Sequence, residues 1–279
     1  MKIAITGARG TVGRAVVKTC SQAGHETVQV NRTEQEYDGT PASEMRTADT
    51  ATDYEATVRA FSGCDAVIHL AAIPNPVDVA DAKVHSNNVN SAFNGFRAAA
   101  EAGIKRFCYV SSVNAIGLAY ANRPLHFAYF PIDEAYPQRP TDAYALAKQE
   151  AEVQAHAFAD WFPGMNIAVL RVHEVAPLAA VRKEHEDDWD AAGVKQLWSW
   201  VSPEATARAC LKGVESEKVK GCEVFNILAP TTTQETASAE LAEKYYPQAE
   251  LRGDWSSNRA FWTTDKAREM LGWTHDEKE

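Results

Sequence analysis

The sequence predicts an α/β fold: a doubly wound parallel sheet followed by a small C-terminal lobe. Three observations lead there. A glycine-rich stretch, "TGARGTVG" (6–13), joins a short apolar run to an amphipathic one. Strand-like runs then alternate with helical periodicities up to residue 172, the order that builds parallel sheets covered on both faces. Beyond residue 172 the alternation loosens, although a late strand-like run at 222–228 still belongs with the sheet. The expected division is therefore a core over 1–172 and a lobe over 173–279, interleaved through that late strand.

Ile3, Ala4 and Ile5 read as a buried strand. Thr11 to Ala23 reads as a helix, with Val12, Ala15, Val16 and Thr19 at helical spacing. "ETVQV" (26–30) is a second strand and "EMRTA" (44–48) a short third. "YEATVRAFSG" (54–63) is a helix, "DAVIHLAA" (65–72) a buried strand, and 87–103 a long helix that Gly103 stops. The strand at 105–112, the helix at 141–162 and the strand at 166–172 continue the pattern. Later come a helix over 202–216, with Ser202 as N-cap and Pro203 in its first turn, the strand "CEVFNIL", and two short helices in "ASAELAEKYY" and "TDKAREMLGW".

The composition narrows the function. A chain of 279 residues with 45% hydrophobic and 24% charged residues has enough material for a full core. A net charge of −10 argues against binding nucleic acid or an anionic membrane. No apolar run approaches the roughly 20 residues that span a bilayer. The opening strand leaves no room for a targeting segment, so a cytoplasmic protein is expected. The five cysteines (Cys20, Cys64, Cys108, Cys210, Cys222) form no C-x-x-C pair and read as reduced, small hydrophobes. The eight histidines are scattered, and no metal site is expected. "DDWD" (187–190) reads as solvated surface.

Three motifs carry chemistry. Gly7, Gly10 and Gly13 lie between a strand and a helix, spaced G-x-x-G-x-x-G, where free N–H groups and the helix dipole suit a phosphate. Tyr144 and Lys148 are four apart on a predicted helix and so share one face. Ser111 and Ser112 end a strand at the carboxyl edge of the sheet, where open α/β folds place their ligands. An alcohol that loses hydride must also lose a proton. A phenol is a weak base at neutral pH, and a neighbouring ammonium is expected to lower its pKa.

With these motifs, "HLAA" (69–72), Asn88 and "SSVNAIG", the chain resembles the extended short-chain dehydrogenases/reductases, the NAD(P)-dependent epimerase/dehydratase group, on a Rossmann core. The resemblance implies Ser112 as the catalytic serine, Tyr144 as acid/base, and Lys148 as both ribose anchor and pKa tuner. It implies a cofactor cradle of Gly7, Arg9, Gly10, Thr11, Val12 and Gly13, with Asp49 at the adenine, Leu70, Ala71 and Ala72 along the trough, and Asn88 among the cofactor-binding residues. It places His173 beside the nicotinamide amide, although a packing role for that residue is equally open.

Relatives that use NAD usually carry Asp at the end of the second strand. Here Asn31 and Arg32 stand there, with Arg9 nearby, which favours NADP while leaving NAD possible. The C-terminal stretch is short for a nucleotide-sugar site, and Val113-Asn114 follows the serine where dehydratases usually carry acidic residues. The expected reaction is interconversion of a small alcohol and a carbonyl compound. In length and tail the chain resembles uronate dehydrogenases, which implies Ser112, Asn114 and Tyr144 against the substrate. Arg182 is the nearest cation for a substrate carboxylate, with a surface role equally open. Two alternatives remain: an epimerase that retains its cofactor, and a non-catalytic NADP-sensing protein. The long helices at 87–103 and 141–162 make a homodimer possible.

Overall fold

The computed structural model describes residues 1–34, 36, 38–185 and 189–276, without the side chains of 189–191. The reading of "DDWD" (187–190) as solvated surface falls on two residues, 187 and 188, outside the described ones and on two whose side chains are not described. The first half runs β1 (Lys2–Thr6), α1 (Thr11–Gln22), β2 (Glu26–Asn31), β3 (Glu44–Thr47), α2 (Tyr54–Phe61), β4 (Ala66–His69), α3 (Asp81–Glu101) and β5 (Arg106–Ser112). The second half runs β6 (Tyr129–Phe130), α4 (Ala143–Trp161), β7 (Asn166–Val172), α5 (Leu178–Glu184), α6 (Trp189–Gln196), α7 (Pro203–Glu215), β8 (Cys222–Ile227), α8 (Ser238–Tyr245), β9 (Glu250–Leu251) and α9 (Asp265–Leu271). The main sheet is parallel throughout, in the order β3-β2-β1-β4-β5-β7-β8.

Alternation along each strand assigns the two faces. Ile3, Ile5, Ile68, Cys108 and Leu170 pack with α1, α7 and α9, whereas Ala4, Val67, Phe107, Tyr109 and Val169 pack with α2, α3 and α4. Both faces are covered, so the strands read as near-continuous apolar runs. The chain winds outward from β1 in one direction and from β4 in the other. The strand order reverses between these two strands, and a ligand crevice opens at such a point.

Three sequence expectations shift. The helix expected at 87 begins at Asp81, because "DAKVHS" is a continuous first turn and a half with Val84 buried. The strand expected over 65–72 ends at His69, since the next residues turn out to wall the crevice. The irregular stretch after 172 contains α5 and α6, whose short, charged turns carry little apolar periodicity.

A separate apolar cluster forms the lobe. It gathers Val113, Ile116, Leu118, Phe127, Phe130 and Ile132 from the insertion after β5, and Leu197, Trp198, Leu241, Tyr246, Trp255, Phe261 and Trp262 from the C-terminal third. The short pair β6–β9 ties these two stretches together. Phe261 is at its centre, fully buried, with ring centres 4.7 Å from Phe130, 5.4 Å from Trp255 and 5.9 Å from Tyr246. Phe261→Ala is expected to cost about 3–5 kcal/mol through lost burial and the cavity left behind. Chemical denaturation checks this, and an unchanged midpoint contradicts Phe261 as the lobe's centre.

Candidate active site

The crevice is built first by backbone. Gly7 takes a left-handed φ of 64° and its N–H donates to the Val30 carbonyl at 3.0 Å. Gly10 caps α1, and its own N–H donates to the Gly7 carbonyl at 3.1 Å. A methyl on Gly13 would lie 2.3 Å from the Gly7 oxygen, so only glycine lets the helix close onto the loop. Thr11 and Val12 open α1, whose first N–H groups have no partner within the helix.

A cavity of about 230 Å³ lies against this loop. Its lining includes Gly7, Arg32, Asp49, Ala71, Ala72 and Ser91. Asn88 is buried, and its side-chain amide clamps Ile73 from both sides: Nδ2 donates to the Ile73 carbonyl at 2.9 Å, and Oδ1 accepts from the Ile73 N–H at 2.7 Å. Asn88 therefore shapes the wall from behind. Asn31 accepts from the Arg9 backbone N–H at 3.2 Å. The Arg9 guanidinium turns to the Glu36 carbonyl and lies 3.9 Å from Asp38, which also accepts from Arg14 at 3.2 Å. Of the two arginines expected near the ribose, the exposed Arg32 is the one that lines the cavity.

Ser112, Tyr144 and Lys148 come together beside it. Ser112 ends β5, opposite Val172 of β7. Asp142 caps α4 by accepting from the Ala145 N–H at 2.8 Å, which sets the register that turns Tyr144 and Lys148 inward. The Ser112 hydroxyl lies near enough to the Tyr144 phenol to act on its pKa, and it accepts from the Asn114 N–H at 3.1 Å. The Asn114 side chain accepts from the Ala119 N–H at 2.9 Å and so holds the insertion loop. Lys148 donates to the Val110 carbonyl at 2.7 Å and lies 3.4 Å from the Tyr109 hydroxyl.

The electrostatics correct one sequence expectation. Burial pushes the Tyr144 phenol well up, outweighing the opposing effect of the Ser112 hydroxyl, so the lowering expected from Lys148 is not seen. Burial also pushes the Lys148 ammonium down to about 8, against the pull of the Glu152 carboxylate. The reason is dehydration of both groups: the ammonium spends its short hydrogen bond on a carbonyl, and its nitrogen is 5.8 Å from the centre of the Tyr144 ring.

His173, one residue past β7, is buried and its Nε2 has no hydrogen-bond partner among the described residues, with the Glu174 carboxylate 3.7 Å away. Burial holds its pKa below the ordinary imidazole value. Such an orphaned polar atom at the carboxyl edge suits a ligand group. Together with the glycine cradle and the cavity, it shows that the residues present fit a nicotinamide dinucleotide. Arg182 donates to the Thr233 carbonyl at 2.8 Å and lies 3.7 Å from Glu235.

Sequence reasoning missed a buried brace under the trio. Glu152, one turn beyond Lys148, accepts from Ser111 at 2.7 Å, from Gln138 at 2.7 Å and from Arg171 at 2.7 and 3.0 Å. Arg171 donates onward to the Glu134 carbonyl. The signal was available, since 144, 148 and 152 share one helical face. Arg171→Met is expected to destabilise the fold by about 3–5 kcal/mol, because it leaves the Glu152 carboxylate buried without its counter-charge. A denaturation curve within 1 kcal/mol of wild type (about 1 kcal/mol being an ordinary substitution) contradicts this.

Comparison with known proteins agrees with the geometry. The model of the NAD dependent epimerase/dehydratase family matches residues 3–186. The chain belongs to that family, and it is an NAD(P)-dependent enzyme of the short-chain dehydrogenase/reductase class. It is similar to an L-arabinose 1-dehydrogenase (NAD(P)(+)) of Haloferax volcanii, 29% identical over 220 residues, covering 77% of this chain and 83% of the relative. It is also similar to an NAD-dependent glucose-6-phosphate dehydrogenase of the same organism, 31% identical over 170 residues, covering 57% of this chain and 63% of the relative. Among solved structures, a mutated uronate dehydrogenase shares the fold with a TM-score of 0.69 and 21% identity, over 99% of this chain and 82% of that one. No described helix is long and apolar enough to cross a membrane, and no described group of His, Cys, Asp and Glu is placed to hold a metal.

Proposed function

We propose that the protein interconverts a hydroxyl and a carbonyl group on a small, neutral sugar or polyol, with Ser112, Tyr144 and Lys148 as the catalytic residues and NADP as the favoured cofactor. The observation that carries this reading is the meeting of a serine, a phenol and a buried ammonium at the carboxyl edge of β5, next to the glycine cradle. The bound nicotinamide supplies or takes the hydride. The chain's own residues handle the oxygen and its proton. The Ser112 hydroxyl holds the substrate oxygen. In reduction Tyr144 gives its proton to that oxygen; in oxidation it takes the hydroxyl proton as the C–H hydrogen leaves with its electron pair. A phenol with a raised pKa holds its proton at neutral pH and is set to act as the acid.

Charge around the entrance supports a neutral substrate. Tyr120 packs edge-on against Tyr144, with ring centres 6.1 Å apart. Burial, followed by the charges of Asp142, Glu174 and Glu184, pushes the Tyr120 phenol up, so three carboxylates act on this side of the site. A uronate or sugar phosphate would meet their repulsion. Arg182, the cation expected for a substrate carboxylate, is engaged by Thr233 and Glu235. Of the two relatives above, the one named for L-arabinose fits a neutral sugar and the one named for glucose 6-phosphate fits an anionic one, so the charge at the entrance decides between them here. A panel of pentoses, hexoses, uronates and sugar phosphates, followed by nicotinamide absorbance, tests this. Highest kcat/KM on an anionic sugar overturns the neutral-substrate reading.

Tyr144→Phe is expected to lower turnover about 10²–10⁴-fold, the usual worth of a positioned acid–base group. Wild-type turnover in this variant contradicts the assignment. In the oxidative direction kcat/KM is expected to rise with pH from 7 to 9 without levelling, since the raised Tyr144 pKa keeps the phenol mostly protonated there and the phenolate that acts as base grows with pH. A profile flat from pH 7 to 9 contradicts it.

Arg32 supports the choice of NADP. It stands exposed at the rim of the cavity, directly after an amide in place of a carboxylate at the end of β2. A hydrogen bond to a charged group contributes about 1.5–3 kcal/mol, or roughly a 10- to 150-fold preference. Arg32→Ala is expected to weaken NADPH binding by that factor and leave NADH nearly unchanged, as measured by titration at one salt concentration. Tighter binding of NADH than NADPH by the wild type removes the NADP preference and leaves the three catalytic residues in place.

A further inference from the structure

Behind the crevice wall lies a chain of buried polar groups with no role in the proton transfer above. His69, the last residue of β4, is fully buried. Its Nδ1 is 3.0 Å from the Thr6 hydroxyl and its Nε2 is 3.1 Å from the Ser91 hydroxyl. Thr6 Oγ1 also accepts from the backbone N–H groups of Leu70 and Ala71, both at 3.1 Å. Ser91 donates to the Ala71 carbonyl at 2.9 Å and lies 2.6 Å from the Thr50 hydroxyl. Thr6, Thr50, Ala71 and Ser91 all line the cavity.

The donors and acceptors leave one consistent wiring. A threonine hydroxyl has two acceptor sites and one hydrogen. On Thr6 both acceptor sites are taken by Leu70 and Ala71, so its hydrogen goes to His69 Nδ1. That nitrogen then carries no proton, and Nε2 carries the only one, which it donates to Ser91. Ser91 spends its own hydrogen on Ala71, so Thr50 donates to Ser91. Every group is satisfied, and the Ala71 peptide is gripped at its N–H through Thr6 and at its carbonyl through Ser91.

We infer that His69, through Thr6 and Ser91, is a single-tautomer strut that holds the Leu70–Ala72 wall against the glycine loop and thereby sets affinity for the dinucleotide, a positioning role that rests on the cofactor reading above. Two further contacts require the ring to sit where it does. A methyl on Gly95 of α3 would lie 2.9 Å from Nδ1, so the helix passes the ring only with glycine there. A methyl on Gly7 would lie 3.1 Å from the Ala71 nitrogen, so the wall and the loop are already at contact, and a shift of one disturbs the other.

The wiring fails if the ring gains a second proton, because Thr6 would then face three N–H donors with two acceptor sites. The surroundings oppose that proton. Burial, then the Lys148 ammonium, holds the His69 pKa down to about 3. The titratable side chains facing the ring are Lys148 and Tyr109, the latter stacked at 6.0 Å with its own phenol pushed up by burial. The remaining partners are the hydroxyls of Thr6 and Ser91 and the backbone of Gly95.

Nitrogen-resolved NMR of the histidine-labelled full chain reads the tautomer directly, without any substitution. His69 is expected as the Nε2–H form, unchanged from pH 8 to 5. An Nδ1–H form, or a ring that titrates in that interval, overturns the strut. Ser91→Ala removes the acceptor for Nε2–H and the donor to Ala71. It is expected to raise the dissociation constants of NADPH and NADH alike, by about tenfold, with cofactor KM rising more than kcat falls. A folded Ser91→Ala protein with unchanged affinity for both cofactors overturns the strut and leaves the cofactor reading standing. A wild type that binds neither cofactor overturns both.

Discussion

The arrangement of the site depends on one buried ion pair. Glu152 and Arg171 meet in a two-pronged contact with their side chains about 5% exposed, where an unmatched charge would not be tolerated. Each of the pair belongs to an element that carries residues of the proposed site. Glu152 is on α4, which carries Tyr144 and Lys148; Arg171 is on β7, which leads to His173; and the Ser111 that donates to Glu152 precedes Ser112 on β5. Gln138 and Glu134 extend the pair into the insertion that walls the entrance. The geometry of three separate segments is therefore referred to a single carboxylate. An apolar core would hold these elements together equally well, but it would not fix their axial register with the same stringency, because dispersion contacts are not directional.

The same burial that fixes the register sets the charge states. Taking Tyr144 and Lys148 out of water disfavours both charged forms, so the phenol keeps its proton and the ammonium holds its own less firmly. The two shifts push in opposite directions and open a gap between two groups that differ little in their ordinary values. Glu152 is one turn from Lys148 and partly restores the ammonium, so the brace also acts as an electrostatic counterweight. This is why the ammonium's presence on the right helical face does not by itself predict a lowered phenol pKa. The sign depends on how much water each group has lost, which spacing along a sequence does not contain.

What was legible in the sequence follows the same division. Short apolar runs alternating with helical periodicities, and the strand-loop-helix position of the three glycines, give the sheet and its crevice, because these are local patterns with one packing solution. Ser112, Tyr144 and Lys148 were legible as types at spacings, and the fold brings them together. The parts that were not legible are long-range. Glu152 pairs with a residue 19 positions away, and His69 with residues 63 positions before and 22 after it. The helices α5 and α6 lack an apolar stripe, since most of their positions are not in a core, and nothing in their local pattern separates them from a charged loop.

Asn31 illustrates how a structural role and a selective role separate at one position. Its side-chain oxygen accepts from the Arg9 N–H and so helps to shape the glycine loop. An aspartate there would accept the same hydrogen bond, with a stronger, charge-assisted contact. The hydrogen bond therefore gives no reason for an amide over a carboxylate. What differs is charge, and the neighbouring charges are already balanced in a particular way. Asp38 is held by Arg9 and Arg14, with its pKa lowered to about 2 by the Thr40 hydrogen bonds first and by these arginines after them. Arg32 stands at the cavity rim. A second carboxylate at position 31 would supply Arg32 with an internal partner and oppose any anion brought to the rim. The neutral amide keeps the contact that shapes the loop and adds no charge to oppose an anion near Arg32, which is the physical basis of the proposed link between this position and a phosphate on the ribose.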